Sequence, residues 1–192
     1  MMLRNIPILS FESANAFEEW LAEHHDVSEG IWLRFFKKSS GVTAVTHPEA
    51  LDEALCYGWI DGQLKKHDEV SWLHKFTPRR PRSVWSKRNT EHIERLTTAG
   101  RMRPAGLRQV EAAKADGRWD KAYEPASKMT MPEDFMSELA KSKKAQASFD
   151  TLNKSNRNLI AWQLQSAVKP ETRLRRMRKY LNMLEDGKKP AG

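Results

Sequence analysis

The chain has 192 residues, of which 39% are hydrophobic and 30% are charged. This composition excludes a disordered chain and predicts a globular protein with a core of ordinary size. The formal net charge of +8 and the sequence pI near 9.6 favour anionic partners such as nucleic acid, phospholipid or phosphorylated ligands. The positive charge is concentrated, because residues 79–103 hold eight basic side chains and residues 169–189 hold another eight.

Cysteine usage and hydropathy predict a cytoplasmic protein. The single cysteine excludes an intrachain disulfide and fits a reducing compartment. The first apolar stretch is short, is cut by Pro7 and lacks a small-residue cleavage site, so we expect no secretory signal. No window approaches the length of an apolar membrane-spanning helix, so we expect no segment that crosses a membrane.

The first elements in chain order alternate between helix and strand. Residues 13–24 place apolar side chains at i, i+3, i+4 and i+7, which predicts an amphipathic helix. The segment from Ile31 to Lys38 is rich in aromatic and β-branched residues, which predicts a strand that is apolar on both faces and is therefore central in the sheet or covered. Thr46 and Glu49 have the spacing of a capping box, so a short helix should run from there to Tyr57.

A hairpin and a stiff loop follow this helix. Trp59 to Lys66 and Val70 to Thr77 are predicted as antiparallel strands, since polar and apolar side chains alternate along the second segment. Pro78 and Pro81 prevent regular structure in the loop that follows. Two further helices should complete this part of the chain by about residue 117.

The remaining sequence has a helical pattern. Thr130 and Glu133 have the spacing of a second capping box. We predict an α+β protein in which residues 1–117 form a module built on a small, mainly antiparallel sheet of at least three strands. A mixed sheet is the open alternative. Residues 118–192 should form a helical bundle packed on this module, giving one compact protein.

Three segments of the chain resemble a known bacterial family. They are ALCYGWIDGQ (Ala54 to Gln63), FTPRRPRSVWSKRN (Phe76 to Asn89) and KPETRLRRMRKYLNML (Lys169 to Leu184). In this order, and over the chain from about Phe11 to Gly187, they are similar to the YdeI/OmpD-associated family, whose members are also described as bacteriocin-protection proteins. The resemblance implies protection from antimicrobial peptides and association with an outer-membrane porin. It implies no catalytic residues.

The basic loop 78–89 is the strongest candidate for a binding site. Its arginines can bind phosphate or carboxylate groups bidentately, and its prolines reduce the entropy that is lost on binding. Serine hydroxyls and the N–H groups of the next helix would add donors. Alternatively, some of these arginines pair with acidic side chains or stack on indole rings. The predicted ligand-binding residues are Trp59, Asp61, Arg79, Arg80, Arg82, Ser83, Trp85, Ser86, Lys87 and Asn89.

Asp61 lies in an aromatic and apolar segment, where a carboxylate must be paired or protonated. It either fixes the hairpin by binding an arginine or backbone N–H groups, or lines a pocket as a hydrogen-bond acceptor or general base. Because the loop leaves the sheet near the start of the first hairpin strand, we expect Trp59, Asp61, Arg82 and Trp85 to meet in one partly open pocket.

No sequence pattern predicts a metal site, a cofactor or a catalytic residue. The six histidines lack the spacing of metal ligands, and the glycine motifs of nucleotide-binding loops are absent. Cys56 lies near the end of a predicted helix rather than at a helix N-terminus, so we expect it to be buried and inert.

These observations leave three hypotheses for the function. The first is a non-enzymatic protein that binds an anionic small molecule, a phosphate-bearing ligand or an envelope partner such as a porin. The second is nucleic-acid binding through the basic segments 79–103 and 169–189, which would be strongly salt-dependent. The third is a small-molecule enzyme with a site near Asp61 that uses His74 or Cys56.

Overall fold

A computed structural model of the chain describes residues 6–124, 130–167 and 169–190. These residues contain a four-stranded sheet and eight α-helices, which confirms the predicted α+β class. The chain divides into two compact units, residues 1–122 and residues 123–192, and each has its own hydrophobic core. Within the described ranges, no helix combines the length and the apolar character that crossing a membrane requires.

The sheet has the strand order β1-β2-β4-β3. Its strands are β1 (Ile8–Leu9), β2 (Ile31–Phe36), β3 (Trp59–Lys66) and β4 (Ser71–Pro78). β1 pairs in parallel with β2, whereas β4 pairs antiparallel with both β2 and β3. The three longer strands lie within two residues of their predicted bounds. The sheet is mixed because of β1, a strand that the sequence analysis did not predict.

The two faces of β2 have different environments. Ile31, Leu33 and Phe35 are buried in the core, whereas the alternate residues are half-buried. On the second face, the Lys65 ammonium lies 4.0 Å from the centroid of the Trp32 ring. Long cationic side chains therefore cover part of that face, and the prediction of a central strand is confirmed because β2 lies between β1 and β4.

Four helices belong to the first unit: α1 (Ala14–His24), α2 (His47–Cys56), α3 (Lys87–Thr98) and α4 (Pro104–Ala115). The central helix is α2, which contacts α1, β3, α3 and α4. The Glu49 carboxylate accepts a hydrogen bond of 2.8 Å from the Thr46 N–H, as the predicted capping box requires. This cap fixes the first residue of α2, His47, at the edge of the core.

The described residues of the second unit contain four α-helices. Its helices are α5 (Glu133–Leu139), α6 (Lys143–Asp150), α7 (Lys154–Gln165) and α8 (Pro170–Glu185), and their buried side chains form the second core. The predicted bundle is confirmed, but its first cap is not. Pro132 occupies the N-cap position of α5 and provides no side-chain hydrogen bond, so the predicted capping box of Thr130 and Glu133 is wrong.

Candidate functional site

The basic loop contains a tight turn over residues 80–83. The Ser83 N–H donates to the Arg80 carbonyl oxygen at 3.0 Å, Pro81 follows Arg80, and Arg82 has a φ of 70°. These are the features of a type II turn, whose third residue is normally glycine. Arg82 is the one non-glycine residue with a positive φ in the described part of the chain. A left-handed conformation costs an ordinary residue roughly 1–2 kcal/mol, so the turn is strained at an arginine.

Three arginines in this region are exposed to solvent. Arg80 and Arg82 lie on the turn, and Arg88 lies in the first turn of α3. Their side chains form no hydrogen bond or ion pair with any residue that the structure describes. Ser86 is the N-cap of α3 and accepts a hydrogen bond of 3.2 Å from the Asn89 N–H, so these two predicted ligand-binding residues stabilise the helix start.

Arg79 has a different environment from the arginines that follow it. It is 6% exposed, its Cζ atom lies 3.6 Å from the centroid of the Trp85 ring, and it donates to the Val84 carbonyl oxygen at 2.8 Å. Trp85 is 2% exposed and also contacts the Trp119 ring. Arg79 therefore closes the base of the loop by stacking on an indole, the structural role considered above as the alternative to ligand binding.

Two of the other residues predicted for the site have hydrogen bonds that stabilise the fold. Trp59 is 1% exposed, and its Nε1–H donates to the His25 carbonyl oxygen at 3.0 Å, so it belongs to the core. The Ser83 hydroxyl accepts from the Arg80 N–H at 3.1 Å and stabilises the turn. Lys87 is exposed at the start of α3. Both indoles of the expected pocket are thus buried, while Arg82 lies on the surface.

Asp61 pairs with two histidines rather than with an arginine. Its Oδ2 atom lies 3.1 Å from His47 Nε2 and 3.7 Å from His74 Nε2. The centroids of the two imidazole rings are 4.6 Å apart, and both rings contact Phe35 and Phe76. The helix start of α2 and the strands β3 and β4 therefore bring together three side chains that are distant in the sequence.

The His47–Asp61–His74 cluster is mostly buried, with side-chain exposures of 23%, 24% and 12%. Burial alone would raise the pKa of the Asp61 carboxyl, but the hydrogen bond from His47 and the nearby imidazoles hold this pKa below its usual value. Burial and the neighbouring His47 lower the pKa of His74. The cluster thus combines an ionised carboxylate with a neutral imidazole, groups that can share a proton or bind a cation.

Acidic partners neutralise the other arginines of segment 79–103. The pairs are Arg95–Asp52, Arg101–Glu53 and Arg103–Glu18, with N–O distances of 2.6, 2.5 and 2.9 Å. In segment 169–189, Arg173 pairs with Asp134, and Arg176 donates to the Gln163 carbonyl oxygen. The pairing leaves the positive charge of the first segment concentrated on the loop and the first turn of α3.

Cys56 is expected to be inert in the native protein. It is 1% exposed, and burial together with the nearby Glu53 raises the pKa of its thiol to about 11. At pH 8 only about one thiol in a thousand would be ionised. A colorimetric thiol reagent should therefore detect one thiol per chain in strong urea and almost none within minutes in buffer. Rapid reaction in buffer would contradict this and would support the enzyme hypothesis that involves Cys56.

Together, these features describe an α+β protein with a sheet-containing unit, a helical unit and an exposed basic turn. Residues 128–187 match the family described as "Bacteriocin-protection, YdeI or OmpD-Associated". The chain belongs to the family of a domain of unknown function (DUF8412), whose model matches residues 9–109, just over half of the chain. Three segments were noted above for their resemblance to the YdeI/OmpD-associated family. Lys169 to Leu184 lies within residues 128–187, and the other two segments lie within residues 9–109. No curated protein and no solved structure matches the chain.

Proposed function

We propose that the protein binds a phosphate- or carboxylate-bearing ligand through its loop face, which we define as Arg80, Arg82 and Arg88. The observation that carries the proposal is the strained turn, which presents an exposed arginine at a position where glycine is preferred. Strain of this kind is concentrated at binding sites. Pro81 restricts the turn before any ligand arrives, so binding loses less conformational entropy.

The charge distribution supports a compact anionic group rather than an extended nucleic acid. Strongly salt-dependent DNA binding uses about six to ten phosphate contacts. The loop face offers three guanidinium groups, and the remaining arginines of segment 79–103 are buried or paired with acids. Two or three arginine forks match one or two phosphate or carboxylate groups.

The family description supports a biological setting for this ligand. We infer a role in bacteriocin protection, in which the loop face binds phosphate or acidic groups of an envelope partner such as an OmpD-like porin. The function we propose is binding without catalysis. A cytoplasmic location is part of the proposal and is supported by the single buried cysteine, which suits a reducing compartment.

Removing two loop-face charges should weaken anion binding at least tenfold. The variant is Arg80→Ala/Arg82→Gly, and the probe is inorganic pyrophosphate, titrated calorimetrically at low salt. Each charge-assisted hydrogen bond contributes about 1.5–3 kcal/mol, so the loss of two guanidinium groups exceeds the roughly 1.4 kcal/mol that a tenfold change requires. The matched control is Lys66→Ala/Arg108→Ala, which removes two exposed charges outside both basic segments that have no partner among the residues the structure describes.

Stability measurements separate loss of binding from loss of structure. Glycine relieves the positive φ of Arg82, so the double variant should be as stable as the native chain or more stable by up to about 1 kcal/mol. Equal pyrophosphate affinity in the native chain and both variants would contradict the proposal. Salt-sensitive binding of duplex DNA that Arg175→Ala/Arg178→Ala weakens as strongly as the loop variant would favour the nucleic-acid hypothesis instead.

A further inference from the structure

We propose that His47, Asp61 and His74 form a three-ligand site for a divalent transition-metal ion of the zinc class. The site is independent of the loop face and lies on the sheet surface next to the start of α2. Each residue offers one ligating atom, and the three atoms all lie within 4.8 Å of one another. Two imidazole nitrogens and one carboxylate oxygen are a donor set that zinc and its neighbours in the first transition row prefer.

The distances within the cluster fit a single ion. Zinc binds imidazole nitrogen and carboxylate oxygen at about 2.0–2.2 Å, so two ligands of one tetrahedral ion lie about 3.4 Å apart. The two distances to Asp61 Oδ2, 3.1 Å from His47 and 3.7 Å from His74, lie on either side of this value. A shift of about 0.3 Å in each distance would bring both nitrogens to the ligand separation around one ion.

An unsatisfied nitrogen is a second, independent sign of a missing partner. His74 Nε2 lies 3.2 Å from the Gly62 carbonyl oxygen, whereas Nδ1 of the same ring is buried and has no hydrogen-bond partner in the described ranges. Buried imidazole nitrogens are usually bonded, and exceptions point to water or an ion.

The surroundings favour a site that keeps one coordination position open. Phe35 and Phe76 pack against both imidazole rings and fix their orientation from the core side. The exposures of 23% and 24% at His47 and Asp61 leave access from solvent. Three protein ligands with an accessible fourth position characterise zinc sites that bind a water molecule or a further ligand, whereas structural zinc sites have four protein ligands.

The helix dipole at the start of α2 opposes cation binding, and nearby carboxylates partly offset it. His47 is the first residue of α2, and the N-terminus of a helix carries a partial positive charge of about half a unit. The carboxylate of Glu49 lies in the same turn and accepts the Thr46 N–H, which places a full negative charge at this helix end. The Asp61 carboxylate supplies the second negative charge. The balance of charge therefore still favours a divalent cation.

Cobalt titration of chelator-treated protein tests the site directly. We expect one Co²⁺ per chain, detected by its visible d–d absorption, and complete displacement of that signal by Zn²⁺. His47→Gln, Asp61→Asn and His74→Gln should each weaken Co²⁺ binding by tenfold to hundredfold or more. The matched control is His92→Gln. His92 Nδ1 lies 2.8 Å from an Asp52 oxygen, but the third member of that cluster is Arg95, which cannot bind a cation. Replacing His92 should therefore leave the Co²⁺ affinity unchanged.

A measurement on the native chain keeps the test valid if a variant fails to fold. Zn²⁺ should shift the imidazole ¹⁵N resonances of His47 and His74 and leave those of His92 in place. Absence of Co²⁺ and Zn²⁺ binding at micromolar metal would overturn the proposal. So would binding that all three substitutions leave unchanged, or resonance shifts confined to His24 and His25. Pyrophosphate binding by the loop-face variants tests the proposed anion binding of the loop face separately.

Discussion

Replacement of Gly106 by alanine should destabilise the protein by about 3 kcal/mol. A Cβ atom at this position would lie 2.2 Å from the Cys56 carbonyl oxygen and 2.8 Å from the Leu55 carbonyl oxygen. Both contacts are with backbone at the end of α2, which cannot rotate away as a flexible side chain can. The Arg103 N–H also donates to the Cys56 carbonyl at 3.1 Å, and moving α4 away from α2 would break this hydrogen bond. Overpacking in a core costs about 1–3 kcal/mol, and a backbone clash belongs to the upper end.

Urea unfolding of a second glycine variant provides the control. A Cβ atom at Gly62 would meet only the Lys75 carbonyl oxygen at 3.8 Å, an ordinary contact, and Gly62 has no left-handed backbone conformation. Gly62→Ala should therefore change the free energy of unfolding by less than about 1 kcal/mol. Similar losses in both variants, or a small loss in Gly106→Ala, would show that the approach of α4 to α2 is looser than the structure indicates.

The longer strands could be predicted because each presents a clear periodic or compositional pattern. Alternation predicted β4, and the aromatic and β-branched run predicted β2, which is central in the sheet as expected. Two residues are too few to show any period, so β1 had no signal of its own. It forms because Ile8 and Leu9 pair with Trp32 and Leu33, an interaction between segments that only the tertiary structure brings together.

The loop was predicted as a basic site, but the different roles of its arginines were not. The loop contains three arginines of the same residue type, and their sequence gives no reason to assign them different roles. The turn geometry buries Arg79 against Trp85 and exposes Arg80 and Arg82 to solvent. That geometry requires a positive φ at Arg82, which residue preferences disfavour. Preferences alone therefore could not have predicted this turn.

The histidine cluster was missed because the sequence rules for metal ligands rely on local spacing. His47, Asp61 and His74 lie on three elements, and Asp61 shares a face of the sheet with His74 because it pairs with Phe76, two residues further along β4. A change of register by one residue turns a side chain to the opposite face of a strand, so the spacing in the sequence does not predict which side chains meet. One signal was present: His74 alternates with Trp72 and Phe76 on the apolar side of β4.

Replacement of Phe76 by alanine should cost about 3–5 kcal/mol and alter the histidine cluster at the same time. Phe76 is fully buried on β4, which pairs with strands on both sides, and its ring contacts those of Phe17 and Phe35. Losses of this size are typical when a buried phenylalanine is truncated, because the transfer free energy is lost and a cavity remains. The Phe76 ring also lies 5.8 Å from the His74 ring, so the cavity would open beside the cluster.

The pKa of His74 gives a second readout for the same variant. Burial lowers this pKa in the native protein, so water entering the cavity should raise it towards its ordinary value. Imidazole NMR titration of metal-free protein would measure the shift, and urea unfolding would measure the stability. The control is Phe36→Ala on the half-buried face of β2, where we expect a loss of about 1 kcal/mol and no change in the pKa of His74. If Phe76→Ala lowered stability as expected but left the pKa of His74 unchanged, the ring would support the core without shielding the imidazole from solvent.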